Sequence, residues 1–325
     1  MPFRIKITLT ILAAVFIALL LVPFVLPIAP LKDTVSEREL ADEDSRFVRV
    51  GDLDVHYKAH GEGERVALLL HGFGSSVFTW EEVLDALPEE WRVIAFDRPG
   101  FGLTSRPLAW QGDNPYAPEA QRRLLLDLMD ELGLSEAVLV GNSAGGTLAV
   151  EFALEHPERV SSLILVSPAI YEGGGAPGWA RPLLNLPQMD RLGPLIMRQF
   201  GGDPGEAFLR AAYDDESRLT PERLAGHRRA LRAHDWDKAL WELTKASRAP
   251  AVAGRLSELQ LPVLVVSGKE DAIVSPELST RLARELPNAQ LVLLAGCGHL
   301  PQEECPQAFV RALEPFLAEL SAAAP

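Results

Sequence analysis

The stretch Ala137–His156, AVLVGNSAGGTLAVEFALEH, decides the fold. It opens on a continuous apolar run, turns through Gly141-Asn142-Ser143-Ala144-Gly145, and passes directly into a segment with helical apolar spacing. A continuous apolar run marks a strand buried on both faces, as in a parallel sheet covered by helices. A turn this tight between strand and helix leaves no room for large neighbours, so Gly141, Gly145 and Gly146 are read as the space that lets the chain reverse around Ser143. Runs of the same kind recur on either side: VALLL at 66–70, SLILV at 162–166 and PVLVV at 262–266. Helical segments follow them, including 75–87, 118–132, 275–286 and 306–320. That alternation predicts a wound α/β sheet with helices on both faces. The rhythm breaks between 170 and 250, where helical spacing, prolines and Trp179, Trp236 and Trp241 replace it, so this segment is read as an insertion between two sheet strands. The core is then expected over 47–169 and 251–325.

Composition narrows the function. With 31 basic and 45 acidic residues the 325-residue chain carries a formal charge of −14 and no basic patch, which disfavours nucleic acid as a partner. The two cysteines, Cys297 and Cys305, support neither a disulfide framework nor a zinc pattern, and Cys297 is read as packing. The charge-free run Ile7–Ala29 follows Arg4 and Lys6 and has 23 residues. As a helix it would extend about 35 Å at 1.5 Å per residue, enough for a hydrocarbon core of roughly 30 Å. It exceeds the apolar stretch of about 7–15 residues of a signal peptide, and Pro23, Pro27 and Pro30 crowd its exit. Residues 1–30 are therefore expected to be an uncleaved single-pass transmembrane anchor, and the charged segment 31–46 a juxtamembrane linker. Lys32, Arg38 and Arg46 follow the run, so the balance of basic residues only narrowly favours a catalytic part outside the cytoplasm.

Ser143 sits where a helix N-terminus would face a reacting group, whose developing negative charge the free N–H groups there favour. A serine hydroxyl needs a base, and the base needs an orienting acid. His299, in AGCGHLPQEECP, and Asp271, in SGKEDAIVSP, each follow a strand, on loops at the ends of strands where ligands approach an α/β sheet. Glu270 is the rival acid, and the Gly-x-x-Asp spacing favours Asp271. Oxyanion donors are expected from the backbone N–H groups of Ala144, by position, and of Phe73 in the His71-Gly72-Phe73-Gly74 loop. His71 is read as a hydrogen bonder that orients this loop. The glycines there do not complete a G-x-G-x-x-G dinucleotide motif. His227, His234, Asp235 and Asp237 match no zinc spacing. His56, His60 and His156 are read as structural. No metal or cofactor is expected.

HGFG at 71–74, DRPGFG at 97–102, GNSAGG at 141–146, GKED at 268–271 and GHLPQEECP at 298–306 together resemble the α/β-hydrolase superfamily, over roughly 47–320. The order Ser143, Asp271, His299 is that of the family's triad. The resemblance implies a helical lid over 170–250, after the sixth strand, and a structural turn at 97–102. It also implies a serine hydrolase cleaving carboxylic esters through an acyl-enzyme. With an anchor and an aromatic-rich lid, lipophilic small-molecule esters such as monoacylglycerols are the candidate substrates. Some C–C bond hydrolases of ring-cleavage products resemble this chain in a Gly-Asn-Ser elbow and the same triad order, although the HGFGSS loop lacks their longer glycine-rich run. A cofactor-free haloperoxidase or perhydrolase is a further alternative, and a binding protein on a hydrolase scaffold the non-enzymatic one.

Overall fold

The apolar runs assemble into one eight-stranded sheet: β1 Arg46–Val50, β2 Leu53–His60, β3 Arg65–Leu70, β4 Trp91–Phe96, β5 Ala137–Asn142, β6 Val160–Val166, β7 Val263–Gly268 and β8 Ala289–Leu294. The computed structural model describes residues 3–88, 90–171, 174–175 and 178–323. Spatial order is β1-β2-β4-β3-β5-β6-β7-β8, antiparallel in the β1–β2 and β2–β4 pairs and parallel from β4 through β8. Alternate residues of the central strands feed two cores, as strands buried on both faces require. Leu68, Leu70, Leu139, Leu163, Leu165, Val263 and Val265 pack in one, with residues of helices Pro118–Glu131, Ala144–Glu155 and Pro276–Glu285. Leu69, Val138, Val140, Ile164, Val166, Leu264 and Val266 pack in the other, with Trp80 and the C-terminal helix residues Phe309, Leu313 and Phe316.

Between β6 and β7 the chain leaves the sheet and forms a helical insertion that includes Pro187–Met197, Asp203–Arg210, Pro221–Arg229 and Trp236–Ala246. Its tryptophans separate into distinct roles. Trp236 and Trp241 are buried with Phe101, Tyr116 and Met197 in a third core that ties the insertion to the loop after β4, whereas Trp179 is exposed.

The expectation of a transmembrane anchor, and with it the membrane localisation, the membrane partnership and the extracytoplasmic placement, is corrected here. Among the described residues no helix is long and apolar enough to cross a membrane. The apolar run is not one uninterrupted span: the first helix, Phe3–Val25, contains Pro23 and stops short of Ala29. Its last turn and exit are instead claimed by the insertion. Gln188 Nε2 donates to the Leu20 carbonyl at 3.3 Å, Arg191 Nη2 to Leu26 at 3.0 Å and Arg198 Nη1 to Ala29 at 2.8 Å. The side chains of Arg4 and Lys6 lie outside the described residues. Residues 31–46 also run along the insertion: Val35 bridges Ala233, and Leu40 is buried with Leu103 and Ala233.

Candidate active site

Four loops at the carboxyl ends of β3, β5, β7 and β8 converge. Ser143 follows β5 at φ 52° and ψ −118°, a conformation rare for a residue with a side chain, and its carbonyl accepts the N–H groups of Gly146 at 3.0 Å and Thr147 at 3.2 Å. The packing explains why glycines flank it. A Cβ on Gly145 would lie 2.2 Å from the Leu70 carbonyl oxygen, and one on Gly141 would lie 2.5 Å from the carbonyl oxygen of Gly145. The helix Ala144–Glu155 can therefore start against the end of β3 only where no side chain intervenes.

Asp271 and His299 meet although 28 residues separate them. His299 Nδ1 is 2.9 Å from Asp271 Oδ2, and both side chains are buried. The other oxygen of Asp271 accepts the N–H groups of Ile273 at 2.8 Å and Val274 at 2.9 Å, which keeps the carboxylate from rotating. Glu270 is engaged elsewhere, its Oε2 accepting the N–H groups of Gly296 at 2.8 Å and Cys297 at 3.3 Å, so it braces the loop ahead of the imidazole. His299 donates its own backbone N–H to the Ala212 carbonyl at 2.7 Å, and its carbonyl accepts Asn142 Nδ2 at 3.2 Å.

Cys297 and Cys305 differ from their reading as packing. They form a disulfide, with Cα atoms 6.2 Å apart, that closes the segment carrying His299. Two cysteines eight positions apart carry no signature of that role in sequence.

The loop after β3 is organised by two buried groups. His71 is fully buried; its Nε2 accepts the Arg98 N–H at 3.1 Å, so its Nδ1 carries the proton donated to the Gly72 carbonyl at 2.8 Å. Burial, reinforced by the nearby Arg98 charge, pushes its pKa down to about 3, so the ring is neutral at pH 7. It orients Gly72-Phe73 and does no acid–base work at that pH. Asp97 accepts the N–H groups of Val77 and Leu103, each at 2.7 Å, and lies 2.6 Å from His56 Nδ1. Burial raises its carboxyl, yet His56 and these hydrogen bonds outweigh burial and hold it below the usual range. The backbone N–H groups of Phe73 and Ala144 donate to no acceptor among the described residues.

Ser143 lines two cavities. The first, of about 130 Å³, also holds His299 and is walled by Phe101, Phe200, Phe208, Leu209, Trp236 and Leu300. The second, of about 410 Å³, is also lined by Ala144, Thr147, Gln121 and Arg98 and shares Phe73, Phe101, Phe208 and Ile273 with the first. The residues weighed as a metal cluster disperse: His234 pairs with Thr34, Asp235 with Lys238, and Asp237 with Arg198. His227 alone reaches the first cavity, its Nε2 2.8 Å from the buried Glu303, which also accepts from Tyr213 and from Thr79 at 3.0 Å. Burial raises the Glu303 carboxyl, but the attraction of His227 and these hydrogen bonds bring it below its ordinary value. Neither His227 nor Arg98 was singled out as a site residue, because only tertiary folding brings them to the serine.

The chain is similar to several named hydrolases. The chain is 34% identical over 304 residues, covering 88% of it and 99% of the relative, to a 2-hydroxy-6-oxononadienedioate/2-hydroxy-6-oxononatrienedioate hydrolase of Burkholderia vietnamiensis. It is 30% identical over 290 residues, 84% of this chain and 96% of the relative, to a 2-hydroxy-6-oxo-6-phenylhexa-2,4-dienoate hydrolase of Comamonas testosteroni. A thermophilic esterase from Thermogutta terrifontis superposes with a TM-score of 0.69 at 26% identity, over 85% of this chain and 98% of that one. The model of the alpha/beta hydrolase fold family matches residues 66–306, the span that carries the parallel part of the sheet from β3 to β8, the serine turn and both residues of the buried imidazole–carboxylate pair, and the chain is a hydrolase that belongs to this family.

Proposed function

We propose that this hydrolase cleaves a carbon–carbon bond next to a ketone in a dienoate of the ring-cleavage type. The reading rests on the 34% identity to a named 2-hydroxy-6-oxononadienedioate hydrolase, which extends over 88% of the chain. In a 2-hydroxy-6-oxo-dienoate, moving the enol proton to C5 makes C5 a leaving group. When the C5–C6 bond breaks, its electron pair delocalises into the C2 carbonyl, and the dienolate departs as a hydroxydienoate after taking the proton that His299 holds. Ser143 adds to the C6 ketone while His299 takes its proton, Asp271 holds the imidazole, and the N–H groups of Phe73 and Ala144 receive the oxyanion. Water then releases the acyl group as a carboxylic acid. The insertion over 170–250 acts as the lid on a core of 47–169 and 251–325, and excludes water around Ser143.

Ester hydrolysis is the second reading, favoured by the likeness to the Thermogutta terrifontis esterase and served by the same serine. The two are separated by giving the full chain 2-hydroxy-6-oxo-6-phenylhexa-2,4-dienoate and, in parallel, p-nitrophenyl esters. Loss of dienolate absorbance with release of benzoate, abolished in Ser143→Ala by a factor on the order of 10⁶ in kcat, supports C–C cleavage. Turnover of esters with none of the dienoate gives the protein to the second reading.

A further inference from the structure

A second imidazole–carboxylate pair stands on the cavity that holds Ser143 and His299. His227, on the insertion helix Pro221–Arg229, lines that cavity with a side chain only 6% exposed, and its Nε2 lies 2.8 Å from Glu303 Oε1. Glu303 is buried and held by three donors: Oε1 accepts from His227 and from the Tyr213 hydroxyl, and Oε2 from Thr79 at 3.0 Å. A carboxylate only accepts, so Nε2 carries a proton whether the ring is neutral or cationic. Nδ1 is the atom left to meet a ligand, as an acceptor in the neutral ring and a donor in the cation. The Phe78 ring packs edge-on, 5.1 Å from the imidazole centroid at 75°, and holds the ring from a second direction.

Nδ1 has no hydrogen-bond partner among the described residues, yet it is not sealed in: Asn142 Oδ1 and Ser75 Oγ, on the same cavity, are buried without partners, whereas Nδ1 keeps accessible surface. The cations that border the cavity are served elsewhere. Arg106 pairs with Glu37 at 3.1 Å, and Arg228 pairs with Glu206 at 2.9 Å and has a side chain 37% exposed, so water reaches its remaining N–H groups. Much of the remaining wall is apolar, with Phe101, Phe208, Leu209 and Leu300. A polar group of a ligand that enters here loses water and needs a partner. A carboxylate is a poor candidate, because the Glu303 charge stands directly behind the imidazole and the pair carries no net positive charge. A hydroxyl suits both forms of the ring, since it donates to the neutral Nδ1 and accepts from the cationic one.

We infer that His227 selects substrates that carry a hydroxyl on the portion filling this cavity, with Nδ1 as the hydrogen-bond partner of that hydroxyl. His227 acts here on specificity and takes no part in breaking the bond. This deepens the proposed function and rests on it only for the identity of the bond cleaved, and ligand binding tests it without turnover.

Calorimetry on the full chain carrying Ser143→Ala compares 4′-(hydroxymethyl)acetophenone with 4′-ethylacetophenone, neutral and nearly isosteric ligands that differ by the hydroxyl, and then the two 3′ isomers. For at least one isomer the preference for the hydroxymethyl ligand is expected to be about fivefold greater than in the same protein with His227→Phe, the worth of one hydrogen bond. Nitrogen NMR of the imidazoles in Ser143→Ala gives a second readout that leaves His227 in place: the hydroxymethyl ligand should shift the His227 Nδ1 resonance and the ethyl ligand should not. A preference that is the same with and without His227 for both isomers overturns the proposal. Should His227→Phe fail to fold, an Nδ1 resonance that responds alike to both ligands overturns it. Failure to cleave the dienoate would remove the C–C reading and leave this binding result standing.

Discussion

His299 Nδ1 stands 2.9 Å from Asp271 Oδ2, and the second Asp271 oxygen is fixed by two backbone N–H groups. The carboxylate can therefore face the imidazole in only one way. In that arrangement Nδ1 carries the proton and Nε2 does not, which is the tautomer that the proposed role of His299 as base requires.

Asp271→Asn tests that dependence. The amide oxygen takes the place of Oδ1 and accepts from Ile273 and Val274, which turns the NH₂ group toward His299. The imidazole must then carry its proton on Nε2 and cannot accept one from Ser143. Loss of the correct tautomer is expected to lower kcat by about 10⁴ with little change in KM, measured on whichever substrate the wild type turns over. A fall of less than tenfold would show that Asp271 does not orient the base.

His71 links stability to acid. Its pKa is depressed from 6.5 to about 3 in the fold by burial, so the unfolded chain binds a proton that the native one refuses. This contribution is complete above the unfolded value and is lost progressively as pH falls from about 6.5 to about 3, at roughly 1.4 kcal/mol per pH unit. Urea unfolding at pH 7, 6, 5 and 4 should show the decline; Asp97, held low by His56 and its hydrogen bonds, acts with the same sign only in more acid solution, as pH falls below its ordinary value of 3.8. His71→Gln should be less stable at pH 7 yet shallower by about one proton between pH 6 and 4. Parallel slopes in the two proteins would refute the assignment.

The Cys297–Cys305 disulfide constrains the unfolded chain around a short loop. Loop-closure entropy for nine residues gives about 2.5 kcal/mol, which for a chain of this size corresponds to roughly 4 °C in Tm. Reduction, or Cys305→Ser, should lower Tm by that amount. Activity should fall less than tenfold, because Glu304 still accepts the Gly298 N–H at 2.6 Å and Ala212 still accepts the His299 N–H. An unchanged Tm under reductant would show that the bridge adds nothing to the native state.

The sheet was legible because buried parallel strands leave continuous apolar runs, and VALLL, AVLV, SLILV and PVLVV became β3, β5, β6 and β7. The placement of Ser143, Asp271 and His299 was legible for a related reason: each lies within a few residues of a strand end, so sequence alone sets it at the sheet's rim. Arg98 follows β4 just as closely, but its partner Gln121 comes from a separate helix, and no spacing encodes that meeting. The N-terminal run was misread because hydropathy records what a segment lacks and says nothing about its neighbours. Gln188, Arg191 and Arg198, which bind its carbonyls, lie more than 160 residues away.

Gly145 tests how closely the serine turn must approach the sheet. An added Cβ would meet the Leu70 carbonyl oxygen at 2.2 Å and that of His71 at 2.8 Å. Both are backbone at the end of β3, so neither can swing aside as a side chain would. Gly145→Ala must push the helix start away from the loop that carries Phe73, which separates the N–H groups of Ala144 and Phe73. Overpacking of this kind costs about 1–3 kcal/mol, and a displacement of about 1 Å at a reacting centre can cost on the order of 10² in rate. The expected result is a folded protein with a lowered Tm and kcat reduced about a hundredfold. Gly254→Ala is the control, since nothing lies within 4 Å of a Cβ there, and it should leave both quantities unchanged. If Gly145→Ala retains full activity, the elbow tolerates a side chain, and the close approach of helix and strand is not what sets the proposed oxyanion donors, the N–H groups of Phe73 and Ala144.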